Sequence, residues 1–113
     1  MQDNTTQEGR LYGYDMFLKA LLCLTQQPPR PHWLQWKRGE VLPHTGGQVY
    51  TATSKADFFP PQVLQLTHYA SGGDILIERR REGEGWEHIA YPEELRPLVQ
   101  ELHAAITTQL EST

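Results

Sequence analysis

The run Arg79-Arg80-Arg81 is the strongest local concentration of charge in the sequence. In an extended strand successive side chains point to opposite faces, so we expect Arg80 to point away from its two neighbours. Planar guanidinium groups bind carboxylates and other anions through paired hydrogen bonds. The run is therefore a candidate docking site for a carboxylate-rich partner or an anion. The alternative is a solvated hairpin whose charges pair internally with three surrounding glutamates, Glu78, Glu82 and Glu84.

A second candidate is residues 26–56, the basic aromatic segment, in which Glu40 is the only carboxylate. Tryptophan and arginine are enriched at the energetic centres of protein interfaces, and aromatic rings among cations also stack on single-stranded bases. The segment thus predicts a contact with another protein or with nucleic acid. A third interpretation, in which the tryptophans belong to the core, stays open. The candidate contact residues are Arg30, Trp33, Trp36, Lys37 and Arg38.

Chemistry that needs a metal or an acid–base pair finds little support. None of the five histidines has a partner at metal-ligand spacing. His68 and His88 fall on predicted strands that flank a third strand, which separates them by roughly 9–10 Å. Asp57 or Glu87 could assist either histidine in proton transfer, but nothing in the sequence favours this. We predict no catalytic residue, no cofactor and no metal site, and expect the histidines to be structural.

Known catalytic and nucleotide-binding signatures are absent, including the phosphate-binding loop, the dinucleotide fingerprint, HExxH and GxSxG. Residues 82–85 (EGEG) lie between two predicted strands and carry two carboxylates, so they predict a hairpin loop rather than a phosphate cradle. Cys23 is the only cysteine, which excludes an intramolecular disulfide. Its apolar neighbours predict that it is a small buried hydrophobe.

The elements that would position these residues follow from periodicity. Residues 1–10 lack apolar periodicity and predict a flexible tail, which leaves 11–113 as one domain. Residues 12–25 predict a helix whose wide apolar face requires burial on more than one side. The prolines at 28 and 29 end it, because the residue before a proline is driven out of the helical region.

Alternation and turn residues predict the strands. Residues 32–38 could form a short strand, and 48–54 are rich in β-branched residues. Residues 63–70, 75–81 and 86–91 alternate and are separated by turns at 71–74 and 82–85, which predicts three consecutive antiparallel neighbours.

The last element is the clearest. An apolar stripe at helical period predicts a C-terminal helix; it comprises Leu95, Leu98, Val99, Leu102, Ala105, Ile106 and Leu110. Because Pro97 cannot sit comfortably inside a helix, we expect a turn at 92–95 and a helix from Arg96 or Pro97. The fold class is therefore α+β, a two-layer sandwich in which an N-terminal and a C-terminal helix pack on one face of an antiparallel sheet of three to five meander strands.

Composition limits the partners. A chain of 113 residues with a net charge of −4 suits one globular domain and disfavours nucleic acid as the main partner. No apolar run reaches the ~20 residues of a membrane span, and the polar N-terminus is not a secretory signal, so a cytoplasmic location is expected.

Our leading hypothesis is a small non-catalytic protein that binds another protein, as an accessory subunit, an inhibitor or immunity protein, or an assembly factor; a homo-oligomer also stays open. The first alternative is a nucleic-acid-associated protein that uses residues 30–38 and Arg79–Arg81. The second is a small enzyme with a pocket near the 28–46 loop.

Overall fold

The computed structural model describes residues 2–26, 34–54 and 61–111, with side chains from residue 13 onward. Its fold class is the predicted one, α+β, with five antiparallel strands in chain order and a helix before and after the sheet. In chain order the elements are α1 (Gln2–Gln26), β1 (Trp36–Val41), β2 (Gln48–Ser54), β3 (Gln62–His68), β4 (Ile75–Arg81), β5 (Glu87–His88), a 3₁₀ turn (Glu93–Leu95) and α2 (Arg96–Glu111).

The boundaries differ most from expectation at three elements, α1, β1 and β5. Helix α1 begins at Gln2 and includes the residues predicted as a tail, because no proline interrupts them; whether that stretch is mobile stays a prediction. Strand β1 begins at Trp36, four residues later than suggested. Strand β5 has two residues instead of six, because the chain turns inward at Ile89, which is fully buried, and then reaches Pro92.

Register fixes which side chains share a face of the sheet. Trp36, Ala52 and Leu64 lie side by side across the first three strands. Together with the neighbouring row, Tyr50, Leu66 and Ile77, they face the helices. The odd-numbered positions between them on β2 and β3 point to the opposite side, which we call the far face. Strand β4 pairs antiparallel with β3 and with β5, which confirms the pairings predicted for the strands from residue 63 onward.

The core lies between the sheet and the two helices. Leu18 and Leu21 come from α1, and Val99, Leu102 and Ile106 come from α2. All five are fully buried. Leu98 and Leu110, which belong to the predicted stripe, are only partly buried, because they lie at its margin. The 3₁₀ turn followed by a helix from Arg96 confirms the effect expected of Pro97.

Cys23 is exposed, so the prediction that it is buried is wrong. Helical spacing explains the error: Leu18, Leu21 and Thr25 form the buried side of α1, and Cys23 is two residues from each of the last two. A separation of two residues in a helix corresponds to nearly opposite directions. Met16, with 69% of its surface exposed, also lies away from the core. The wide apolar face of α1 is therefore only partly covered by the described chain.

Within the described residues, neither helix combines the length and the apolar character that a bilayer crossing requires.

Candidate functional site

The basic aromatic segment places its one described tryptophan in the core. Trp36 is 4% exposed, and its indole Nε1 donates a 2.9 Å hydrogen bond to Thr25 Oγ1. Buried indoles need a partner for this N–H, and α1 supplies it. Of the alternatives for Trp36, the structure therefore shows a core residue and not a surface contact. Arg30 and Trp33 lie outside the described residues, as does Asp57.

Gln109 of α2 completes the environment of Trp36. Its Oε1 accepts a 2.7 Å hydrogen bond from the backbone N of Trp36, and its Nε2 donates to the carbonyls of Leu34 and Thr25 at 2.9 and 3.0 Å. A neighbouring strand would bond the same N–H and the same carbonyl two residues earlier. The amide thus acts as a substitute for a strand at the start of the β1 edge. All of these groups are buried, and each has a partner.

Lys37 and Arg38 are exposed but point to opposite faces. Lys37 lies beside Thr51 on the far face, whereas Arg38 lies beside Tyr50 on the helix side. Strand β1 has no second neighbour among the described strands and carries an irregularity between Arg38 and Val41. Bulges and charged side chains are common protective features of edge strands. The two cations therefore do not form one patch.

The arginine run is divided by β4 as alternation predicts. Arg79 points to the helix side, where its guanidinium lies 4.9 Å from the centre of the Phe17 ring and bonds both carboxylate oxygens of Glu87 at 3.2 and 3.4 Å. Arg81 bonds Glu84 at 2.9 Å and Glu87 at 3.4 Å. Two of the three candidate cations are thus already engaged by carboxylates of the same hairpin.

This pairing has an electrostatic signature. The hydrogen bond from Arg79, together with the charges of Arg79 and Arg81, lowers the pKa of the Glu87 carboxyl, although partial desolvation opposes the change. The lowered pKa keeps the Glu87 carboxyl ionised in its pairs with Arg79 and Arg81. Internal pairing is found for Arg79 and Arg81, through Glu84, as expected, and through Glu87, which the sequence did not indicate.

Arg80 differs from its neighbours. It is exposed on the far face, and no carboxylate pairs with it among the described ion pairs. Its guanidinium lies 5.2 Å from the centre of the Trp86 ring, in a cation–π arrangement. Trp86 itself is 46% exposed. We call these two residues the Arg80–Trp86 pair.

A concavity of about 410 Å³ includes Arg80 in its wall. Thr53, Val63 and Arg80 form a row across β2, β3 and β4, and this row contributes one side of the concavity. The rest of the lining comes from the ends of the same strands and the turn after β4, namely Ser54, Pro61, Gln62, Arg81, Glu82, Gly83 and Glu84. Gly83 has a φ of 79°, a value that glycine adopts easily and that allows the tight turn. The far face at this end of the sheet thus offers an exposed indole, a cation and an adjoining hollow.

Sequence reasoning did not single out Trp86. The available signal was its position directly after the glycine-rich turn, at the first residue of the predicted strand 86–91. The second contact that it missed lies at the other end of the sheet, where His68 stacks on His103 of α2. His68 and His88 do lie on the two strands that flank β4, as predicted. No cluster of three or more histidine, cysteine, aspartate or glutamate side chains that could hold a metal occurs in residues 13–26, 34–54 and 61–111.

Comparison with known proteins finds no counterpart: no family model, no curated protein and no solved structure matches this chain. The function is therefore inferred from the side chains and their geometry alone.

Proposed function

We propose that the chain is a small non-catalytic protein that binds another protein, as an accessory subunit, an inhibitor or immunity protein, or an assembly factor. The observation that carries the proposal is the exposed Arg80–Trp86 pair beside a concavity of about 410 Å³. Arginine and tryptophan contribute more binding free energy per residue than other types, because both bury a large flat surface and keep a polar group for a directed bond.

The charges near the pair indicate the chemistry of the partner. Arg79 and Arg81 are neutralised by Glu87 and Glu84, whereas Arg80 keeps its charge available. A guanidinium that is already oriented by an aromatic ring loses little conformational entropy when it binds a planar carboxylate. The partner that fits is therefore a protein segment that carries an aspartate or glutamate next to an apolar side chain.

The size of the concavity is consistent with that partner. Hollows that accept small ligands measure roughly 300–1,000 Å³, so this one has room for a few side chains. Its wall combines the apolar Pro61 and Val63 with the hydroxyl of Thr53 and the turn carboxylates. Protein interfaces likewise combine apolar with polar groups.

The nucleic-acid alternative has less support. It relies on residues 30–38 and Arg79–Arg81; within 30–38 the ring of Trp36 is buried under α1, and Arg30 and Trp33 lie outside the described residues. Lys37 and Arg38 point to opposite faces, so they do not form a continuous track for a phosphate backbone. The enzyme alternative, with a pocket near the 28–46 loop, stays a prediction, because part of that loop lies outside the described residues.

The test compares capture of interacting proteins by tagged wild-type protein and by Trp86→Ala and Arg80→Gln, with Met16→Ala as the matched control. Met16 is also exposed and apolar, but it lies on α1. We expect one set of proteins to be retained by wild type and control, and to bind at least about tenfold more weakly to both hairpin variants. Equal retention by all four proteins, measured with their folding verified, would contradict the proposal.

A further inference from the structure

The contact between α2 and the end of β3 consists of two stacked histidines. The ring centres of His68 and His103 are 4.2 Å apart, and the ring planes differ by 10°. Tyr50 of β2 meets the His103 ring edge-on, with the ring centres 5.6 Å apart. The Nε2 atom of His103 is buried and has no hydrogen-bond partner among the described residues. The three rings therefore pack a buried, unpartnered ring nitrogen of α2 against β2 and the end of β3.

Protonation opposes this arrangement in two ways. A second positive charge on a parallel ring 4.2 Å away is repelled by the first. A protonated His103 would also place an N–H at the buried Nε2 position, where no acceptor lies within reach in the described chain. Burial, and secondarily the charge of His68, accordingly lower the pKa of His103.

Charged groups on the elements around the stack mostly pair with one another. On β1, Arg38 shares the helix side with Tyr50, but it does not contribute to the shift at His103. Arg96, two turns before His103 on α2, pairs with Asp74 at 3.2 Å. On α1, Asp15 pairs with Lys19, and on β4 the residue beside His68 is the apolar Ile75. In the described part of the chain, no carboxylate forms an ion pair with either histidine of the stack.

We propose that the His68–His103 stack is a pH-sensitive contact that holds α2 on the sheet at neutral pH and loosens it under mildly acidic conditions. The sign follows from linkage: the unfolded chain takes up a proton at His103 near the ordinary histidine pKa of about 6.5, whereas the folded chain does so only at lower pH. The contribution to stability is thus complete above about pH 6.5 and is lost as the pH falls.

The consequence extends along α2. Gln109 lies six residues after His103 on the same helix and bonds the start of β1 and the end of α1. A helix that loosens at His103 also weakens these bonds, because all of them require α2 to keep its position. The device would therefore act on the β1 side of the molecule and leave the Arg80–Trp86 pair, at the opposite end of β4, in place.

The experiment measures thermal unfolding of the full chain between about pH 7.5 and about pH 5 for wild type and His103→Phe. Phenylalanine keeps a flat ring in the stack and cannot be protonated. We expect the Tm of wild type to fall by roughly 3–6 °C more than that of the variant over this range. His88→Gln is the matched control, because His88 is exposed on the far face; it should follow wild type. Parallel Tm curves for wild type and His103→Phe would overturn the proposal.

A second measurement does not depend on the stability of any variant at His103. The titration of the His103 ring, followed by NMR in wild type and in His68→Phe, should give a pKa below the ordinary value that rises when His68 is removed. Burial remains in that variant, so the pKa should rise only part of the way. An ordinary pKa for His103 in the wild-type protein, or one that is unaffected by His68→Phe, would also overturn the proposal.

Discussion

Two tryptophans with similar neighbours in the sequence have opposite positions in the fold. Trp36 precedes Lys37 and Arg38, and Trp86 follows the arginine run, yet Trp36 is 4% exposed and Trp86 is 46% exposed. Trp36 lies in a sheet row covered by both helices, and its indole N–H bonds Thr25. Trp86 directly precedes β5, the two-residue strand beside β4, and its ring contacts the guanidinium of Arg80.

Local composition therefore does not determine whether a large amphipathic ring lies in the core or on the surface. Two conditions have to hold for burial: a covered row of the sheet and a hydrogen-bond acceptor for the indole. Trp36 meets both, because its row is covered by the helices and Thr25 of α1 accepts the hydrogen bond of its indole. The ring of Trp86 in the β4–β5 hairpin lies against the guanidinium of Arg80 and is 46% exposed.

The sharpest test of the comparison replaces each tryptophan by alanine. Trp36→Ala should lower the free energy of unfolding by about 3–5 kcal/mol, because it opens a cavity beneath both helices. Trp86→Ala should change it by less than about 0.5 kcal/mol, as expected for an exposed position. Urea unfolding monitored by circular dichroism gives both values. Losses of similar size would show that the hairpin ring is structural and would remove the basis of the proposed binding surface.

Leu102→Ala tests the side of the molecule that holds Trp36, at a residue whose side chain has no polar group. Leu102 is fully buried between α2 and the sheet, so its truncation should cost about 2–5 kcal/mol in the free energy of unfolding. Met16→Ala is the control, because Met16 is an apolar residue of α1 that is mostly exposed. If the two substitutions have equal effects, the assignment of the core to the α2 stripe is wrong.

Gln109→Leu separates hydrogen bonding from apolar packing in the Trp36 region. Leucine has a similar size but leaves the N–H of Trp36 and the carbonyl of Leu34 without a partner. We expect a loss of about 1–3 kcal/mol, the cost of unsatisfied buried polar groups. Gln100→Leu, an exposed position of the same helix, controls for helix propensity. A neutral Gln109→Leu would mean that the amide does not act as a substitute strand.

These differences also mark what the sequence can predict. Bounds of β2 and β4, and the start of α2 after a turn, are set by local signals: β-branched alternation, Gly-rich turns and Pro97. Strand β5 and the edge at β1 depend instead on where Ile89 and Gln109 find space in the assembled core. Contacts between residues far apart in the chain leave no local trace.

The candidate site shows the same division. Alternation correctly separated Arg80 from its neighbours, because it is a property of the strand alone. It could not show that Glu87 would neutralise Arg79 and Arg81, or that Trp86 would lie beside Arg80. Nor could spacing reveal the stack of His68 on His103, which joins residues on different elements.

The smallest expected effect concerns the ion pairs of the β4–β5 hairpin. It tests whether the hairpin, unlike the Trp36 region, gains little stability from its side-chain contacts. Glu87 joins Arg79 and Arg81, and its pKa is lowered chiefly by the hydrogen bond from Arg79. A carboxyl whose pKa is lower in the folded than in the unfolded chain contributes stability above the ordinary value near 4.5. That contribution is lost as the pH falls through the lower, folded value.

Glu87→Gln should therefore reduce the free energy of unfolding at neutral pH by less than about 1 kcal/mol, because water reaches and screens this partly exposed pair. The reduction should shrink at high salt and vanish at acidic pH, where the wild-type carboxyl is also protonated. Glu82→Gln is the matched control on the same hairpin, since Glu82 makes no ion pair with the described residues. A loss at Glu87 that exceeds the loss at Gln109, or that is independent of salt and pH, would indicate that Glu87 contributes by packing. The hairpin would then be rigid, like the Trp36 region, and packing within it would hold the exposed ring of Trp86 in position.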